Sequence, residues 1–185
     1  SGLLASTFDE QDGGIQLPSM VFAAADFIIG NAHNGFEMFT SLSKGGAKLI
    51  ATFGSKDLKE RYLNKILVGE WTATMCLTEA QAGSSLSNIT TTAYPNNDGT
   101  FKVKGQKIFI SAGDHDITEN IVHLVLARIE GAPAGVKGIS LFAIPKYIIN
   151  EDGTSTYNDV ITAGDFQKLG QKGYSTTHLV FGENE

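Results

Sequence analysis

Cysteine is almost absent from this 185-residue chain: Cys76 stands alone, so no intrachain disulfide can form. Cys76 sits in an apolar run without a basic neighbour, where a thiol acts as a small core residue rather than a nucleophile. Proline occurs four times and tryptophan once. No apolar run reaches the ~18 residues a membrane span requires. The first residues, SGLLASTFDEQ, have neither a basic region nor a long apolar core, which excludes a signal peptide there and leads us to expect a cytoplasmic protein. Basic residues are also outnumbered, 14 Lys and Arg against 20 Asp and Glu, for a net charge of −6. That balance argues against a nucleic-acid or anionic-membrane surface. No GxGxxG, Walker or G-x-S-x-G pattern occurs. The four histidines, His33, His115, His123 and His178, lack the clustered spacing and ligand company of a zinc site. His123 lies in an apolar run and reads as a hydrogen-bonded core histidine.

What is present falls into two halves with different periods. Pro18 stands at a favourable first-turn position, and Met20 to Ile28 carries apolar residues at helical spacing. A second helix is expected over about 36–53, closed by Gly54, and Ser55 should cap a third. In that third helix Leu58, Tyr62 and Ile66 form one row, with Leu63 and Leu67 beside it, before Gly69. These helices carry more apolar surface than three helices can cover, which predicts oligomerisation or a longer protein. After Trp71 the pattern is that of strands. Thr91 to Tyr94, the turn PNNDG and Thr100 to Ile110 read as a hairpin. Ile121 to Ala127 reads as a strand buried on both faces, Ile139 to Ile144 as another, Asn150 to Gly153 as a turn and His178 to Phe181 as a last strand. The expected fold is α+β: a partial helical bundle over 1–71, then an antiparallel β-barrel or sandwich over 72–185.

Two segments could carry chemistry. The loop after Met75, TEAQAGSS, offers backbone amides and the hydroxyls of Thr78, Ser84 and Ser85, with Gly83 allowing a ligand close to the main chain. Thr78-Glu79-Ala80-Gln81 fits a T-x-x-Q capping box, which predicts a short helical turn with free amides aimed outward. On residue types alone a solvated connecting loop is the simpler reading. The second segment is Phe109-Ile110-Ser111, a strand end bearing an aromatic ring and a hydroxyl, suited to a planar ligand or simply to a core.

Together these segments resemble the acyl-CoA dehydrogenase family. MCLTEAQAGSS (Met75 to Ser85) is similar to the family's [YM]-C-[VLI]-T-E-P-x-A-G-S-D, and GQKIFIS (Gly105 to Ser111) to its G-x-K-x-[WFY]-I-[ST]. DGGIQLP and GSKDLKERYLNKILVGEW resemble family segments upstream, so the likeness spans essentially the whole chain. The stretch from Ser111 to Lys146 further resembles the branch that includes 3-methylmercaptopropionyl-CoA dehydrogenase.

The resemblance implies an FAD-dependent oxidation of the α,β bond of an acyl-CoA thioester to the 2-enoyl-CoA. It implies that Met75, Leu77, Thr78, Ser84, Phe109, Ile110 and Ser111 line the flavin, with Ser84 also near the pantetheine arm of the substrate. Electron-transfer flavoprotein is the implied acceptor, and a homodimer or homotetramer the implied assembly. An acyl-CoA oxidase or other flavin relative, and a non-enzymatic binding module on the same fold, are the alternatives. The sequence departs from the family at Ala80 for proline, Ser85 for aspartate, Phe109 for the frequent tryptophan and Ser111 for threonine, none of which removes a flavin wall. The family's catalytic glutamate lies on a C-terminal helical domain, so no catalytic residue is expected within these 185, and the isolated chain is expected to be inactive. Neither Glu79 nor Glu119 carries a feature that assigns it that role.

Overall fold

The computed structural model describes residues 2–184; Ser1 and Glu185, the outer bounds of the two expected domains, lie outside the described residues. After a short 3-10 turn, Glu10–Asp12, the chain enters a single helical run, α1 (Ser19–Phe53), where two helices are expected. The two are there in substance, because His33 leaves the helical region at φ −159° and ψ 90°. Its ring nitrogen Nδ1 accepts the Phe36 N–H at 2.9 Å and so starts the second half as an N-cap side chain does. Gly54 ends α1 in an extended conformation rather than the left-handed one, with its N–H on the Ile50 carbonyl.

Ser55 caps the next helix as expected, accepting from the Leu58 N–H at 3.3 Å. That helix, α2, runs over 56–67 as Lys56–Leu58, a π turn Lys59–Leu63 and Asn64–Leu67. Gly69, at φ +83°, terminates it. Leu63, Ile66 and Leu67 are buried against Ile50, Ala51, Trp71, Val122 and Leu124, so the helices are packed onto the sheet in one core.

Among the described residues nine strands follow: β1 (Trp71–Cys76), β2 (Thr92–Pro95), β3 (Phe101–Ser111), β4 (Asn120–Ile129), β5 (Ile139–Pro145), β6 (Tyr147–Ile149), β7 (Ser155–Tyr157), β8 (Val160–Asp165) and β9 (Thr176–Phe181). The main sheet runs β1-β4-β2-β3-β9-β8, with β5 on the other edge of β4. The sheet is mixed rather than antiparallel throughout. Both β1 and β2 lie parallel to β4, β1 along Asn120 to Val125 and β2 along Arg128 and Ile129. β4 is buried on both faces because Val122 and Leu124 pack into the core with the helices while Val125 and Ala127 face a second core. A second core, including Cys76, Val125, Leu179 and Phe181, fills the space enclosed by β1, β3, β4 and β9.

Candidate functional site

The two motif segments meet at β3. As the chain leaves β1, the Thr78 carbonyl accepts the Ile108 N–H at 2.9 Å, and the Leu77 carbonyl accepts Lys107 Nζ at 3.2 Å. The loop therefore begins bonded alongside the strand that delivers Phe109 and Ser111.

No helical turn forms at 78–81. Glu79 and Ala82 instead exchange backbone hydrogen bonds, each N–H to the other's carbonyl, and close a tight turn. The capping-box reading fails because Gln81, the residue that would reach back to Thr78, donates its Nε2 to Glu79 Oε2 and Thr90 Oγ1 instead, and the Glu79 side chain turns inward. Only 2% of Glu79 is exposed, and Lys107, the cation it meets at 2.7 Å, is fully buried. Glu79 Oε1 also accepts the Thr91 N–H and hydroxyl, at 3.1 and 2.6 Å. Its Oε2 accepts the Thr90 N–H and hydroxyl at 2.7 and 2.9 Å, and Gln81 Nε2 at 2.6 Å. Burial pushes the Glu79 carboxyl up, but the Lys107 ammonium and the threonine donors outweigh it and hold the group down at about 2. Burial lowers Lys107, against the opposing pull of Glu79. Lys107 was missed in the sequence, although Val103 and Lys107 share one face of β3 and that face enters the core. A cation in that register requires a buried anion.

Phe109 sits where the β3–β9 register shifts between Lys107 and Ile110, with φ +59°. The bulge turns the ring out, 56% exposed and 4.5 Å from the Phe166 ring. Ser111 pairs with Thr176 across the ladder, and the buried Thr176 hydroxyl has no partner among the described residues. Ile110 is different: its side chain lies in the second core, leaving its backbone rather than its side chain beside the segment. Met75 packs partly buried on the helix-facing core. Ser84 and Ser85 are exposed on the loop, and a side chain at Gly83 would meet nothing. Two hollows lie elsewhere, one of about 650 Å³ between the β2–β3 turn and β5–β7, another of about 660 Å³ beside Trp71 and Tyr147.

His123 and Cys76 stand in the second core, and the buried His123 Nε2 has no hydrogen-bond partner among the described residues. His123 Nδ1 lies 2.8 Å from the Thr74 hydroxyl, and burial lowers the ring to about 3. Burial pushes the Cys76 thiol up to about 12. Among the described residues no cluster of His, Cys, Asp and Glu could hold a metal ion.

Residues 1–70 match the N-terminal domain of acyl-CoA dehydrogenases and residues 74–183 match their middle domain. The chain is 43% identical, over 92% of its length, to 3-methylmercaptopropionyl-CoA dehydrogenase of Ruegeria pomeroyi, and covers 29% of that protein. It is 46% identical over 80% of its length to a butyryl-CoA dehydrogenase of Syntrophomonas wolfei, covering 25% of it. The acyl-CoA dehydrogenase of Bacillus anthracis, solved in complex with FAD, superposes with a TM-score of 0.77 at 29% identity. That superposition covers 97% of this chain and 28% of the other. The chain thus spans under a third of these relatives' length, and it belongs to the acyl-CoA dehydrogenase family.

Proposed function

We propose that residues 77–84 and 109–111 form one wall of an FAD site in an enzyme that oxidises the α,β C–C bond of an acyl-CoA to the 2-enoyl-CoA. The observation that carries this reading is the bonding of Leu77 and Thr78 to Lys107 and Ile108, which joins the two motif segments side by side. The residue types suit the group. An outward ring at Phe109 offers a stacking face, and Thr78, Ser111 and the unpartnered Thr176 hydroxyl offer neutral hydrogen-bonding groups. When bound, FAD supplies the two-electron acceptor for the hydrogens removed from the substrate. Thr78 and Ser111 would hold it by hydrogen bonds beside the Leu77 main chain, while Met75 and Ile110 hold their segments to the cores beneath. Ser84, exposed on the loop, would bind the pantetheine arm of the thioester.

The division at residues 71/72, the acyl-CoA substrate, an electron-transfer flavoprotein acceptor, a homodimeric or homotetrameric assembly and a cytoplasmic location belong to the same reading. So does a catalytic base outside residues 1–185. Glu79 is unsuited to that role, since its charge is bound to Lys107 and both oxygens are occupied. The test is turnover with an artificial electron acceptor and a panel of acyl-CoA thioesters. The full-length protein should carry FAD and form 2-enoyl-CoA, and residues 1–185 alone should not. A flavin-free full-length protein, or turnover by residues 1–185, would overturn the proposal.

A further inference from the structure

We infer that the buried Glu79–Lys107 pair is the positioning element of the wall, setting the distance between its loop half and its strand half. This rests on the FAD reading above. Lys107 Nζ bridges the two halves: it belongs to β3, two residues before Phe109, and binds both Glu79 Oε1 at 2.7 Å and the Leu77 carbonyl at 3.2 Å. Glu79 in turn gathers the far end of the loop through the backbone and hydroxyls of Thr90 and Thr91, and reaches Gln81 beside it. One ion pair thereby fixes the loop's entry at Leu77, its turn at 79–82 and its exit at Thr90.

A stability role alone accounts poorly for it. Two ions are costly to desolvate, and well-packed apolar residues of similar size often serve a core equally well. Direction is what apolar packing lacks. Fixed donors and acceptors hold a main chain to a few tenths of an ångström, the tolerance a preorganised site demands. Glu79 and Lys107 need not touch the ligand; they act through Leu77, Thr78 and Phe109.

The experiment uses full-length protein and separates packing from positioning. Glu79→Leu/Lys107→Met removes both charges together but strands the Thr90 and Thr91 donors, so its thermal midpoint should fall, though less than that of Lys107→Met alone, which leaves a buried carboxylate unpaired. In the double variant the FAD dissociation constant should rise at least ~10-fold, equivalent to about 1.4 kcal/mol. The visible spectrum of its bound flavin should shift, and the Ile108 amide should exchange faster with solvent. Thr91→Val, which removes one hydroxyl donor to Glu79 and neither charge, should weaken FAD binding in the same direction and keeps the test open if the double variant does not fold. Wild-type FAD affinity, spectrum and Ile108 protection in the folded variants would overturn the inference. A wild-type protein that binds no FAD would overturn both this inference and the function on which it rests.

Discussion

Cys76 and His123 share a fully buried site with the Thr74 hydroxyl, and burial pushes their ionisations in opposite directions. The thiol, raised to about 12, should not react with Ellman's reagent in the native protein and should release one equivalent once unfolded in urea. His123, lowered to about 3, stays neutral in the folded state while the unfolded chain takes up a proton below about pH 6.5. The unfolded state then binds more protons, so stability falls as pH drops from about 6.5 toward 3. Glu79 adds a second window: its depressed value contributes stability above about 4.5 that is lost as pH falls toward 2. Urea midpoints measured across this range should therefore decline, and His123→Leu should flatten the decline between about pH 6 and 5. Of these residues, the inert cysteine and the core histidine were legible in sequence because each stands in an apolar run. The Glu79–Lys107 pair was not, because its partners lie 28 positions apart and single-sequence spacing cannot join them.

At the scale of elements, α1 rests on β1 through a glycine. A Cβ built on Gly46 would lie 2.5 Å from the Ala73 Cβ, whereas one on the adjacent Gly45 would meet nothing. Gly46→Ala should cost about 1–3 kcal/mol by overpacking. Gly45→Ala should be neutral or stabilising by up to ~1 kcal/mol, since it only raises helix propensity. Urea denaturation of the two variants in parallel checks both signs. Helices and the buried β4 were legible because their periods are physical requirements of burial. The direction of pairing was not: Ile121 to Ala127 reads the same whether its neighbours run parallel or antiparallel. β8 escaped because most of its residues are exposed and carry no alternation. The break between the two helical segments was legible as a gap in the pattern between 28 and 36, but its cause was not, since only the fold shows the His33 ring capping Phe36.

For the whole molecule, the described residues include no helix long and apolar enough to cross a membrane. The first half of α1 nonetheless exposes Met20 and Phe27 at 82% and 72%, with Val21 and Ile28 beside them. That agrees with helices whose apolar stripes exceed what they cover themselves, and with relatives more than three times as long. The family was legible because its two motifs stand in order along the sequence, one leaving β1 into the following loop and the other within β3. The extent of the site was not, since a wall does not reveal what faces it. Whether this wall holds the flavin is decided by a crystal structure of the full-length protein with FAD. The isoalloxazine ring should lie in contact with Thr78, Phe109 and Ser111. A ring seated elsewhere, such as in the 650 Å³ hollow between the β2–β3 turn and β5–β7, would contradict the FAD reading.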